Sequence, residues 1–314
     1  MSLYRWKPLP GKSAGQFPAE RLYAFFCYHG FTGEDWEMDQ MEFGLWARYV
    51  YELTGIALEL SKSYLIESRL EPLLNVHGCK TLSDLYRKSR MDRTGDIEKD
   101  IIDQITTNET LFFRDHSPFE MLKYKILPDM IDRKRRHAFS SLPVSIRIWS
   151  AGCSTGQEVY SIAITLKEAL ENMTSCNITV LGTDISRAAI ARASYGTYSQ
   201  LEIERGVEAA YLLKYFTRNG NVWKICDEIR SMATFRTMNL MQPFTGMGKF
   251  DMVFCRNVGI YFTVEDRKKL FQNIEKVMLE DGALIIGSTE SLTGIAPQFI
   301  SRRHLKSVFY QVKS

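Results

Sequence analysis

The chain has 314 residues, 45% of them hydrophobic and 25% charged, with a formal net charge of +3. That is the make-up of an ordinary globular protein, with length enough for one large domain and a smaller one. So slight a positive excess, with no aromatic-and-basic repeat, argues against nucleic acid as a partner, and no apolar run reaches signal or membrane-spanning length.

In chain order, residues 1–40 open with Pro8, Pro10, Gly11, Gly15 and Pro18 and continue into Tyr23, Phe25, Phe26, Tyr28, Phe31 and Trp36. These aromatics suit packing onto the body or binding a partner, and the sequence assigns this extension no role. From 41 to 105 apolar residues recur at helical spacing, in stretches around Phe43 to Leu53, Leu65 to Leu74, Leu82 to Tyr86 and Ile97 to Ile105. Breaks at Gly55, Gly78 and Gly95 separate them, which predicts a small all-helical domain. A linker over 106–143 follows. It begins with the polar-to-aromatic run Thr106 to Arg114, continues in an amphipathic helix from Pro118 to about Ile131, and carries a basic run, Arg133 to Arg136, readable as a solvated face or a docking surface.

An α/β domain is predicted over 144–314. Val144, Ile146 and Ile148 alternate with Ser145, Arg147 and Trp149, the pattern of a strand entering a sheet. The strand runs into a loop bracketed by Gly152 and Gly156, where bare backbone lets a ligand approach closely, and then into a helix carrying Val159, Ile162, Ala163, Leu166 and Leu170. Strand, glycine loop and helix N-terminus together are the shape of a nucleotide-type cofactor site, although such a loop is also an ordinary tight turn. A second apolar strand, Ile178 to Ile185, carries Asp184 near its end. An acidic residue there binds ribose hydroxyls in dinucleotide-type folds, or else caps the following helix from Ser186 to Ser194.

Further on, Tyr211 to Thr237 holds the short β-like pieces Asn221 to Cys226 and Met232 to Thr237 around an Asn219-Gly220 turn, read as a hairpin insertion at about 211–237. Strands at Asp251 to Cys255, Ala283 to Gly287 and Leu305 to Val312 flank a helix, Thr263 to Leu279, opened by Thr263 and Asp266. Strands alternating with helices imply a largely parallel sheet covered on both faces. The six cysteines, at 27, 79, 153, 176, 226 and 255, form no Cys-x-x-Cys pair, so neither a metal site nor a disulfide framework is expected. Reduced thiols and a cytoplasmic location are the expectation.

Separated segments together resemble the CheR family of bacterial chemotaxis methyltransferases. They are Thr-Thr-Asn-Glu-Thr-Leu-Phe-Phe-Arg at 106–114, Ala-Gly-Cys-Ser-Thr-Gly-Gln-Glu-Val-Tyr-Ser at 151–161, Gly-Thr-Asp-Ile at 182–185, Phe-Cys-Arg-Asn-Val-Gly-Ile-Tyr-Phe at 254–262 and Gly-Ser-Thr-Glu-Ser-Leu at 287–292. The resemblance implies a helical domain followed by a Rossmann-like methyltransferase domain with a small β-subdomain. It implies S-adenosylmethionine as cofactor, S-adenosylhomocysteine as product, and methyl transfer to glutamate side chains on the cytoplasmic domains of chemoreceptors. It places Asn108, Thr110, Arg114, Gly152, Glu158, Asp184, Asn239, Leu240, Asn257 and Val258 around the cofactor, with Arg114 and Tyr261 as the catalytic pair near the transferring methyl. Tyr261 beside Phe262 is otherwise a core aromatic.

Some positions depart from the family pattern. Gln157 and Val159 stand where the family commonly has Glu and Pro, while Glu158 is kept. Gly259 replaces a larger apolar residue, from which a looser wall beside Tyr261 is expected. The turn Thr217 to Asn221 is short, which implies no dependence on a receptor's C-terminal pentapeptide tether. Fold alone leaves open a small-molecule methyltransferase, an NAD-dependent oxidoreductase or a non-catalytic regulator. The loop lacks the Gly-x-Gly-x-x-Gly order of an NAD site, and Arg114, Glu158, Asp184 and Tyr261 are all present, which weighs against a regulator.

Overall fold

Glycine punctuation cuts the first part of the chain into helices. The computed structural model describes residues 38–137, 143–170, 176–305 and 307–313, so the aromatic lead-in at 1–37 lies outside the described residues. Helices α1 (Gln40–Thr54), α2 (Ser63–His77), α3 (Leu82–Met91) and α4 (Asp96–Ile105) stand where the apolar spacing predicts them. Gly55 and Gly78 end α1 and α2 in the left-handed conformation, at φ 78° and 63°, where a Cβ is disfavoured. Trp46, Tyr49, Ile66, Leu70, Leu85 and Ile101 fill a core of their own. Tyr86 meets Trp46 and Tyr49 edge-on, with ring centroids 5.6 and 5.3 Å away.

The predicted helix after Arg114 is composite: α5 (Ser117–Met121), a π-helical turn (Leu122–Ile126) and α6 (Leu127–His137). Pro128 has no N–H to return to the preceding turn, and the widened turn falls just ahead of it. The basic run is partly spent inside the molecule. Arg133 pairs with Asp281 at 2.8 Å, and Lys134 with the buried Asp251 at 2.6 Å.

The remaining elements are β1 (Val144–Ala151), α7 (Gln157–Leu170), β2 (Cys176–Asp184), α8 (Arg187–Tyr195), β3 (Thr197–Ser199), α9 (Gln200–Glu204), α10 (Ala209–Tyr215), β4 (Phe216–Asn219) and β5 (Val222–Ile225). They continue through α11 (Asp227–Arg230), β6 (Ala233–Thr237), β7 (Phe250–Cys255), α12 (Val264–Lys276), β8 (Met278–Ile286), β9 (Phe299–His304) and β10 (Ser307–Val312). Among the described residues the main sheet has 7 strands in the order β6-β2-β1-β7-β8-β10-β9. All its pairings are parallel except those of β10 with β8 and β9. From β1 the chain moves outward first to one side and later to the other. This reversal opens a crevice beyond the carboxyl ends of β1 and β7, where ligands of such sheets bind.

The hairpin reading of 211–237 is corrected in part. Gly220, at φ 59°, turns β4 into β5 as predicted, but the 3-stranded small sheet also takes β3 and so begins at Thr197. The Met232 to Thr237 piece is not part of it: β6 pairs with β2 at the edge of the main sheet. Phe235 lies over Gly182, where a Cβ would come within 2.8 Å of its ring, and that packing draws β6 to the larger sheet. Strand β9 has no sequence counterpart, because Ser301, Arg302 and Arg303 break the alternation.

The fully buried Phe112 seats the segment before α5, meeting Tyr198 and Phe216 edge-on at 4.8 and 5.5 Å. Beneath it, Gly206 leaves room for the Phe112 carbonyl, which a Cβ would strike. Phe112→Ala is expected to cost about 3–5 kcal/mol in denaturant unfolding.

Candidate active site

At the crevice, a cavity of about 370 Å³ is lined by every site residue expected from the sequence. Asn108, Thr110 and Arg114 reach it from the segment between α4 and α5. Gly152 and Glu158 come from the loop after β1 and the first turn of α7, Asp184 from the end of β2, and Asn239 and Leu240 from the stretch after β6. Asn257, Val258 and Tyr261 follow β7. Thr54 and Ile56, at the end of α1, also line it, so the helical part of the chain closes the cavity as well. None of His77, His116 and His304 does.

The loop after β1 depends on its glycine. Gly152 sits at φ 76°, and a Cβ there would strike Val258 Cγ2 across the cavity. Ser154 (φ 49°) and Gly156 (φ 94°) continue the turn. The loop is then fastened to the neighbouring strand, where Ser154 N donates to Asp184 Oδ2 at 2.8 Å, while the other oxygen, Oδ1, accepts from Ser186 N after β2 at 3.0 Å. The cap of α8 is Ser186, whose hydroxyl accepts from Ala189 N at 3.0 Å. Asp184 is thus a loop fastener that also faces the cavity. Burial pushes its carboxyl above the usual aspartate range, against the opposing effect of the N–H groups of Ser186, Ser154 and Ile185.

Glu158 accepts from the Ser150 hydroxyl at 2.8 Å and from Arg256 Nη1 at 2.9 Å. Sequence reasoning missed Arg256, whose side chain is only 2% exposed. The available signal was a charged residue ending the apolar run Met252 to Cys255, where an arginine is buried only if paired. Glu290 was missed too. Its Oε2 accepts from the N–H of Asn257 and of Gly287, both at 2.7 Å, and holds Asn257 at φ 58°. At Gly259 a Cβ would meet Glu290 Oε1 at 3.1 Å and the Arg267 side chain at 3.6 Å.

The Asn239 amide is spent on structure: Nδ2 donates to the Leu53 carbonyl at 2.9 Å, and Oδ1 accepts from Met241 N at 2.9 Å. Nearby, Tyr51 donates to Asp266 Oδ2 at 2.7 Å, and Ala57 N to the Tyr261 carbonyl at 3.0 Å. These bonds tie the end of α1 to the cavity wall that carries Tyr261.

A parallel sheet reversing at β1, a glycine loop entering a helix and a carboxylate closing the next strand define an α/β protein built around a nucleotide-type cofactor. The chain belongs to the CheR methyltransferase family. The model of the family's SAM binding domain matches residues 108–307, and that of its all-alpha domain matches 41–106. Chemotaxis protein methyltransferase 1 of Pseudomonas aeruginosa is 34% identical over 276 residues, covering 87% of this chain and 98% of the relative. Chemotaxis protein methyltransferase 1 of Vibrio cholerae is 35% identical over 279 residues (88% and 98%). The chemotaxis protein methyltransferase of Borreliella burgdorferi is 36% identical over 253 residues (79% and 87%). The protein is therefore a methyltransferase that uses S-adenosylmethionine.

The residues present fit that cofactor. The bare Cα of Gly152 leaves a cradle that a Cβ would fill, and the Glu158 and Asp184 carboxylates are acceptors suited to ammonium and hydroxyl hydrogens. Gly152→Ala is expected to weaken S-adenosylhomocysteine binding at least tenfold by calorimetry. Adding Val258→Ala should restore part of the loss, because it removes the methyls that the new Cβ strikes.

Proposed function

We propose that this enzyme esterifies glutamate side chains on the cytoplasmic domains of chemoreceptors, forming the methyl esters of sensory adaptation. The observation that carries this reading is the 106–114 segment. Lying outside the α/β sheet, it brings Arg114 to the same cavity as Glu158, Asp184 and Tyr261. The chemotaxis names of the relatives agree with it. A cytoplasmic location is part of the proposal, and among the described residues no helix is long and apolar enough to cross a membrane.

S-Adenosylmethionine, when bound, supplies an electrophilic methyl on a sulfonium. Glu158 takes the ammonium of its amino-acid part, Asp184 the ribose hydroxyls, and Leu240 and Val258 the apolar faces. Asn108, Thr110 and Asn257 border it with polar groups, and Asn239 supports it from its structural position. The acceptor glutamate, with an ordinary pKa of about 4.3, is ionised at neutral pH and needs no general base. That agrees with a cavity into which none of His77, His116 and His304 reaches. Carboxylate and sulfonium lose their charges together in the displacement. A tight ion pair to the carboxylate therefore stabilises the ground state more than the transition state, and Arg114 orients the acceptor rather than activating it. The Tyr261 hydroxyl holds the in-line alignment, from which most of the rate gain comes. The short β4–β5 turn suits action without a pentapeptide tether.

Chemoreceptor-bearing membranes incubated with radiolabelled S-adenosylmethionine test the proposal. Base-labile label released as methanol is expected, reduced about 100-fold in Arg114→Ala and about tenfold in Tyr261→Phe, in line with lost positioning. Label appearing only on a small molecule would overturn the receptor assignment.

Asp184 also sets a pH dependence. Only its ionised form accepts from both ribose hydroxyls while holding the loop, so cofactor binding favours proton release. Affinity is then present above the raised pKa and is lost as pH falls through it, earlier than for an exposed aspartate of about 3.9. Calorimetry across that range should show the loss, and Asp184→Asn should flatten it.

A further inference from the structure

Arg114 stands in an unusual stretch of backbone. Phe113, Asp115 and His116 all have positive φ, at 49°, 68° and 45°, conformations uncommon for residues with a Cβ and least suited to the bulky Phe113. One restraint is visible on each side of Arg114. Phe113 N donates to the Ser161 hydroxyl at 2.9 Å. On the other side, Arg256 Nη2 donates to the Arg114 carbonyl at 2.9 Å and to Asp115 Oδ2 at 2.7 Å.

The same guanidinium also donates, through Nη1, to Glu158 Oε2 at 2.9 Å. One buried cation therefore faces two carboxylates, and its Nε has no hydrogen-bond partner among the described residues. The cluster of Arg256, Asp115 and Glu158 is short of one positive charge. Asp115, 33% exposed, meets solvent away from the cavity, whereas Glu158, 13% exposed, lines it, so the carboxylate of the cluster that faces the cavity is Glu158.

We infer that Arg256 is a positioning residue that couples cofactor binding to the placement of Arg114. This inference rests on the reading above, in which Glu158 receives the cofactor ammonium. Asp115 draws on the guanidinium from behind and leaves Glu158 with charge for that ammonium. When the ammonium arrives and neutralises Glu158, the guanidinium is released toward Asp115 and the Arg114 carbonyl, and the strained corner is held more tightly. Cofactor binding and the setting of Arg114 thus share one cation.

The test is a cycle on the purified full chain, with S-adenosylhomocysteine as the calorimetric probe. Asp115→Asn is expected to weaken binding fivefold or more, although its side chain lies behind Arg256, and to do so by less than twofold in an Arg256→Gln background. Arg256→Lys keeps the charge but cannot span both partners. It should lower kcat at least tenfold while KM for S-adenosylmethionine changes by a smaller factor. It also replaces the glutamine background in the cycle if that variant does not fold. Equal effects of Asp115→Asn in both backgrounds, or no effect in either, would overturn the coupling. Absence of S-adenosylhomocysteine binding in the unmodified chain would instead overturn the cofactor reading beneath it.

Discussion

The Asp184 carboxylate is the tie on which the site depends. In the glycine loop leaving β1, Gly152 N and Cys153 N donate to the Thr183 carbonyl at 2.8 and 2.9 Å, and Ser154 N turns instead to the Asp184 side chain at 2.8 Å. Asp184 supplies one oxygen to that loop and the other to the chain entering α8, so two adjacent strand ends share one anchor. Burying a carboxylate is costly unless it is well hydrogen-bonded, and here the bonds that offset the cost also build the cavity. The Trp149 indole, donating to the Thr183 hydroxyl at 2.9 Å, repeats the β1-to-β2 tie one layer deeper.

The helical part of the chain completes what the sheet begins. Leu53, Tyr51 and Ala57 reach Asn239, Asp266 and Tyr261, and Gly55 brings its backbone so close to Met241 that a Cβ would stand 2.5 Å from the Met241 side chain. At the far end of this part, Asp103 accepts from the Ser186 hydroxyl at 2.7 Å, on the loop that Asp184 fastens. The helices thus grip both sides of the cavity. Thr54 and Ile56 line it because the end of α1 has been drawn in by these bonds.

The sequence reveals most where local chemistry decides. Gly55, Gly78 and Gly95 mark the helical segment because only glycine is at ease in their backbone conformation, and the run before Gly152 reads as a strand because alternation survives in it. Asp184 was visible as a carboxylate at a strand end, but its work as a fastener needs Ser154 and Ser186 in space. The work of Arg256 and Glu290 was hidden for a related reason: Arg256 reaches Glu158 from 98 positions away and Glu290 reaches Asn257 from 33. β6 was misread because its attachment is decided by Phe235 lying on Gly182, a contact that no turn signal announces.

The bond between Tyr51 and Asp266 joins residues 215 positions apart, and Glu290 supports Asn257 from later still. On a ribosome, where domains generally fold as units and N-terminal ones first, helices α1 to α4 can settle early around Trp46. The cavity cannot, because the end of α1 meets Asn239, Tyr261 and Asp266 only after most of the chain has been made. During synthesis, then, the end of α1 and the strained corner around Arg114 wait without their partners. Asn257 gains its carboxylate partner only once Glu290 has emerged, so the cavity is completed late in synthesis.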